Sequence, residues 1–217
     1  MRERKRCLIL SPHPDDAELG ASLLAARRLS EGWDITVVTF ASRGPNDPTA
    51  KNEREGIIRQ MEVQAFWDEY LGKESVECVF GAFDLEVSRV SALTKFVEDN
   101  VAFEEVGEIV APTRSDSHQD HHPVTAAAFV LGRGTPANLL LYRTVSTIEG
   151  WAPNYLIPVN GREAKGKIES LQSAFQTQGE RIYLETTFLE KFSTFTPDHI
   201  RRGPSIGEAF EAVRLYA

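Results

Sequence analysis

Two short segments lie far apart in the chain, Pro12-His13-Pro14-Asp15-Asp16 and His118-Gln119-Asp120-His121-His122. They hold four of its five histidines, each beside carboxylates. Imidazole nitrogens with one carboxylate oxygen are the donor mix that suits a catalytic zinc, which takes three protein ligands and keeps a position open for water. The chemistry to expect is metal-assisted hydrolysis.

Pro14 biases His13 toward extended backbone, and neighbouring side chains in a non-helical turn point different ways. Asp16 can then join His13 on a metal while Asp15 turns toward the water, one carboxylate as ligand and the other as base. The competing use of such an Asp-Asp pair is to cap the helix that follows. Glu18 reads as a first-turn residue favouring the helix dipole rather than as a ligand. In the second segment His121 reads as the third ligand, and His118 as facing the open coordination position. Asp120 would fix the tautomer and charge of a histidine as an outer partner. His122, next to Pro123, reads as packing or surface, and His199 is given no role.

A scaffold must bring these segments together. Cys7 to Leu10 is an all-apolar run, the mark of a strand buried on both faces. Leu19, Leu23, Leu24 and Leu29 then follow helical spacing until Gly32. Strands are predicted at Ile35 to Phe40, Val76 to Phe80, Ile109 to Ala111 and Leu139 to Val145. Helices are predicted at Glu53 to Leu71 (closed by Gly72), Val87 to Val97 and Val124 to Leu131, with a polar loop from Asp47 to Lys51. This alternation predicts a Rossmann-like α/β fold: a mostly parallel, doubly wound sheet with helices on both faces and right-handed crossovers. Both histidine segments sit just past the carboxyl ends of the first and fourth strands. In the usual 3-2-1-4-5 order those strands are neighbours at the switch point, where such sheets bind ligands. The pattern loosens after about Trp151. Tyr155 to Val159 and Ile182 to Phe188 read as strands, and Arg162 to Gln176 and Glu208 to Leu215 as helices. The expected organisation is one domain over 1–217, with a core over 1–150 and a pocket-shaping cap over 151–217.

Bulk properties narrow the field. The net charge of -8 argues against broad binding to nucleic acid or anionic membranes, both of which want a basic face. The basic stretch Arg2 to Arg6 precedes an apolar run too short for a signal peptide, and no stretch approaches a membrane span. Cys7 and Cys78 are the only cysteines and read as reduced core thiols, so a cytoplasmic location is the default. The sequence is compatible with a homo-oligomer.

Pro12-His-Pro-Asp-Asp-Ala-Glu-Leu-Gly20 together with His118-x-Asp-His121 resembles the PIG-L/LmbE-type family of zinc-dependent N-deacetylases. Arg59-Gln-Met-Glu62 leading to Leu71-Gly72 is similar to that family's Arg-x-x-Glu helix, Phe83-Asp84 to a substrate-facing position, and Glu208-Ala-Phe210 to its carboxyl-terminal Glu-x-Phe. The resemblance implies a Rossmann-like hydrolase that removes the acetyl group from a small N-acylated amino-sugar, with one zinc per chain. It implies His13, Asp16 and His121 as zinc ligands, Asp15 as general base, His118 as the group stabilising the oxyanion, and Asp120 as its support. Arg59 and Asp84 become candidate sugar contacts; their competing uses are helix pairing with Glu55 or Glu62, and a turn. The chain departs from the family pattern at Ala21, at Gln119 and at Ala174-Phe-Gln-Thr-Gln178, where a histidine is usual.

Two other classes compete. Asp120-His121-His122 also resembles the DHH phosphoesterases, which use two manganese ions, but their first aspartates are separated whereas Asp15 and Asp16 are adjacent. A non-enzymatic nucleotide or structural-metal module finds no glycine-rich phosphate loop, and a structural zinc would want four protein ligands.

Overall fold

Alternating apolar side chains divide the central strands between two cores. In a computed structural model, which describes residues 5–42, 53–148, 150–195 and 205–216, β1 (Arg6–Ser11) sends Cys7 and Ile9 to one face of the sheet and Leu8 and Leu10 to the other. The strands β2 (Asp34–Thr39), β3 (Val76–Phe80), β4 (Val106–Pro112) and β5 (Asn138–Tyr142) continue this division, with Val110 and Leu140 on the first side and Ile109, Ala111 and Leu141 on the second. Burial on both faces is what an all-parallel sheet covered by helices demands. The first face is covered by α1 (Asp16–Ser30), α2 (Glu53–Leu71), α5 (Gly161–Ala174) and α6 (Thr186–Phe192), the second by α3 (Val90–Asn100) and α4 (His121–Arg133).

Strand order is β3-β2-β1-β4-β5-β8-β6, with β6 at Tyr155–Pro158 and β8 at Ser205–Arg214; the short β7 (Thr194–Phe195) also pairs with β8. The strands from β1 to β5 pair parallel. The expected 3-2-1-4-5 order is present, and β1 and β4 are neighbours. Gly32 (φ 83°) and Gly72 (φ 99°) take left-handed backbone just after α1 and α2, where a side chain would be strained. Gly20 serves a different need. A β-carbon there would lie 2.3 Å from the Tyr142 ring and 2.7 Å from the Arg143 carbonyl, so only glycine lets α1 approach β5 this closely.

Two predicted elements in the last third are corrected. Glu208 to Leu215 is not a helix but most of β8, which pairs antiparallel with both β5 and β6. Its alanines and glutamates are good helix formers, but the open edges of two strands provide backbone partners on both sides, and pairing overrides local propensity. Ile182 to Phe188 is not a strand. Ile182–Leu184 is a single 3-10 turn and Thr186 opens α6, which buries Leu189 and Phe192 at helical spacing. The segment expected to be a cap therefore contributes two strands to the central sheet. Cys7 and Cys78 are free thiols. Among the described residues no helix is long and apolar enough to cross a membrane. His199 and the loop read over 47–51 lie outside the described residues.

Candidate active site

Sharp strand ends deliver the site. β1 stops at Ser11 and α1 begins at Asp16, so the prolines and His13 occupy the turn between them; β4 stops at Pro112 and α4 begins at His121. Because β1 and β4 are adjacent, the two turns face each other.

Three donor atoms converge there. His13 Nδ1 lies 3.3 Å from Asp16 Oδ2, and His121 Nε2 lies 3.3 Å from the same oxygen. All three residues are buried. Both imidazoles thus bring a ring nitrogen against the same carboxylate oxygen, which also accepts from the His13 backbone N–H at 3.1 Å. A tetrahedral zinc with bonds near 2.0–2.1 Å separates its ligands by about 3.3 Å, so the donor types, and the spacing of each imidazole from Asp16, fit such an ion. His118, His13 and Asp120 form a second group of donors within 4.8 Å of one another. Here the contact is a real hydrogen bond, His13 Nε2 to Asp120 Oδ2 at 3.1 Å, which makes Asp120 the carboxylate that orients a metal-facing imidazole.

The electrostatics match. Burial works against charge on His13, but Asp120 and Asp16 outweigh it and raise its pKa to about 9. Burial likewise opposes charge on His121, yet Asp16 and Asp116 raise it to about 10. Asp16, although burial favours its protonated form, is held far below the usual carboxylate range by His121 and His13. The cluster thus draws positive charge toward Asp16.

Asp15 behaves differently from its neighbour. Burial pushes its pKa up to about 6 against the pull of Arg59. It precedes α1 with φ 108°, and its backbone N–H donates to Glu18 Oε2 at 3.0 Å. Glu18, also the acceptor from Trp67 Nε1 at 2.7 Å, is thereby a buried capping residue and not a ligand.

His118 is half-buried, and burial, His121 and His13 lower its pKa, which favours the neutral ring. Its Nδ1 accepts from the Asp120 backbone N–H at 3.3 Å, which leaves the ring proton on Nε2. Asp120 supports His118 through its backbone, while its carboxylate serves His13: the expected pairing is corrected in that respect. Arg59 has no exposed surface and donates from Nη2 to the Pro14 carbonyl (2.7 Å) and to Asp15 Oδ2 (3.3 Å), so it holds the first segment in place. Asp84 is exposed in a turn where its carbonyl accepts from Ser88 Oγ at 2.5 Å. His122 turns away from the donor cluster, its Nε2 2.8 Å from the Asp116 carbonyl.

Two further residues, Asp116 and Tyr183, touch the site. Asp116 Oδ2 lies 2.9 Å from His121 Nδ1, the ring nitrogen opposite the converging donors. That approach is off the N–H direction, so it acts as an ion pair more than an aligned hydrogen bond. Asp116 also accepts from the His118 N–H (2.8 Å), from Ser146 Oγ (2.6 Å) and from Thr144 Oγ1, which ties the histidine loop to the turn after β5. The Asp116-x-His118 spacing of an Asx turn was the available signal. Tyr183 donates its hydroxyl to Asp15 Oδ2 at 2.8 Å, and nothing local to its sequence announces that contact.

Comparison with known proteins agrees with this geometry. The family description "PIG-L: GlcNAc-PI de-N-acetylase" matches residues 8–131, which include both histidine segments. The uncharacterized deacetylase YaiS of Escherichia coli (strain K12) is 26% identical over 175 residues, covering 78% of this chain and 90% of that one. The zinc-inhibited form of the teicoplanin deacetylase Orf2 superposes with a TM-score of 0.69 at 17% identity, over 95% of this chain and 97% of that one. GalB, a 4-carboxy-2-hydroxymuconate hydratase from Pseudomonas putida KT2440, superposes with a TM-score of 0.71 at 14% identity, over 98% of both chains. The fold by itself thus hosts more than one chemistry. The family match spans more than half of the chain and carries the donor cluster with it: this protein belongs to the PIG-L family of metal-dependent de-N-acetylases and is a hydrolytic N-deacetylase acting on a small acylated molecule.

Proposed function

We propose that the protein is a zinc-dependent hydrolase that removes an N-acetyl or other N-acyl group from an amino-sugar-type substrate, with one zinc held by His13, Asp16 and His121. The observation that carries this reading is the meeting of His13 Nδ1 and His121 Nε2 at 3.3 Å each from Asp16 Oδ2, with all three donors within 4.8 Å of one another in a buried site. Zinc bound there would lower the pKa of water toward about 7 and polarise the amide carbonyl.

The chain's own groups do the rest. Asp15, with a pKa near 6, is the general base: it takes the proton from the attacking water and returns it to the leaving amine. The Nε2–H of neutral His118 donates to the carbonyl oxygen as negative charge develops there. Asp116 and Asp120 hold the rings of His121 and His13. Asp84 stands in an exposed turn beyond β3, at the same end of the sheet, and is assigned to the sugar. The two-manganese alternative is disfavoured because His122 turns toward the Asp116 carbonyl instead of the donors.

The test is acetate release from a panel of N-acetylated amino-sugars by the zinc-loaded protein. Asp15→Asn and His118→Ala should retain zinc and lose about 10²- to 10⁴-fold in turnover. Parental turnover by Asp15→Asn, or binding of two metals per chain, would sink the assignment.

A further inference from the structure

Asp15 is held by parts of the chain remote from it. Its φ of 108° lies where a β-carbon is strained, and such a conformation persists only where the surroundings over-determine it. Glu18 fixes its backbone N–H and Arg59 its carboxylate, both from neighbouring helices. The third restraint, the Tyr183 hydroxyl on Oδ2, comes from the 3-10 turn in the last third of the chain.

Glu62 anchors the segment that leads into that turn. Its Oε1 accepts from the Thr177 backbone N–H at 2.6 Å and its Oε2 from the Thr177 hydroxyl at 2.6 Å. The adjacent Gln178, 2% exposed, donates to Thr177 Oγ1 at 3.2 Å, and its carbonyl accepts from the Arg181 backbone N–H at 2.8 Å, two residues before Tyr183. Arg59 and Glu62 lie one turn apart on α2, so this helix holds Asp15 directly through the guanidinium and also anchors, at Thr177, the segment that carries Tyr183. Both side-chain bonds to Asp15 fall on Oδ2, and together they set the rotation of the carboxylate and hence the direction of Oδ1.

We propose that Tyr183 is a positioning residue for the general base, presented to Asp15 by the Glu62–Thr177 clamp. It holds the carboxylate in its working orientation and takes no part in proton transfer. The inference builds on Asp15 as the base but adds a link from the carboxyl-terminal region that no feature of the catalytic segments contains.

Kinetics of Tyr183→Phe, Glu62→Ala and the double variant, each zinc-loaded, test it. Tyr183→Phe should lower kcat about 10- to 100-fold with KM and the zinc content of one per chain unchanged. Glu62→Ala should lower kcat similarly, and the double variant should fall no further than the worse single, because both break one link. A parental kcat in Tyr183→Phe, a loss carried by KM or zinc content, or multiplicative effects in the double variant would overturn the proposal. If the parent protein hydrolyses no N-acyl substrate, the deacetylase reading fails separately, and the crystal structure of Tyr183→Phe still decides: the Asp15 carboxylate should be turned or split between rotamers, and an unmoved carboxylate refutes the clamp.

Discussion

Helix α1 carries two buried charged clusters, and they differ in how their charges are satisfied. Mid-helix, Lys167 Nζ donates to Glu208 Oε1 at 2.6 Å and to the Leu19 carbonyl at 2.5 Å, while Glu208 accepts from the backbone N–H groups of Leu23 and Leu24 at 2.9 Å each. Each of these contacts has a donor aimed at an acceptor, and the ammonium is held by a full carboxylate partner. At the amino terminus of the same helix, Asp16 Oδ2 faces two imidazole nitrogens at 3.3 Å each, and both rings carry raised pKa values. That second arrangement can trade protons on the rings for a cation. Burial and charge alone do not mark a functional site; converging donors of a kind that can share a cation do.

The comparison can be broken at either cluster. His13→Ala should abolish zinc binding, deacetylation and any rise in thermal midpoint on adding zinc, since two ligands remain. A variant that still holds one zinc per chain would show that the 3.3 Å convergence has no bearing on metal binding. Glu208→Ala should instead lower stability by about 3–5 kcal/mol by stranding a buried ammonium, while the folded protein still takes one zinc. Chemical denaturation measures the first effect and metal analysis the second. Unchanged stability would mean that Lys167 finds other partners.

Smaller effects sharpen the contrast. Asp116→Ala removes the carboxylate behind His121 and should weaken zinc affinity about 10- to 100-fold without changing the ligand count. Competition with a chelator reads this directly, and an unaltered affinity would make Asp116 a loop anchor only. The last test concerns exchange itself. In the metal-free protein His13 and His121 have pKa values raised to about 9 and about 10, so their stabilising contribution is complete below their unfolded pKa and fades as pH rises through those values. Zinc must displace these protons, so its affinity should climb with pH up to that range, and binding at pH 7 should release about two protons per chain. Calorimetry in buffers of different ionisation heat counts them; no release would contradict the exchange. The Lys167–Glu208 cluster should release none under the same conditions.

Much of the catalytic end was legible because its determinants are local. The apolar runs of β1 and β4 announce strands buried on both faces, the prolines after them fix where the strands stop, and Gly32 and Gly72 mark helix ends by a backbone conformation that other residues resist. Asp15 and Asp16 could be given different roles because a turn sends neighbouring side chains different ways. Asp120 was expected beside His118, whereas its carboxylate meets His13, a choice that depends on angles between two loops.

The sequence by itself determined the parallel α/β core, the switch point between β1 and β4, and the residue types able to grip a metal there, since all of these follow from short-range patterning and from topological rules that parallel sheets share. Only the tertiary structure decided that 205–214 is a strand, that Arg59 is buried behind Asp15, and that Tyr183 and Asp116 brace the site. Each of those outcomes is set by partners distant in sequence: an open sheet edge, a carboxylate across a cleft, a turn clamped by Glu62. Local propensity carries no record of such partners, because the free energy that selects them appears only once the surfaces are in contact.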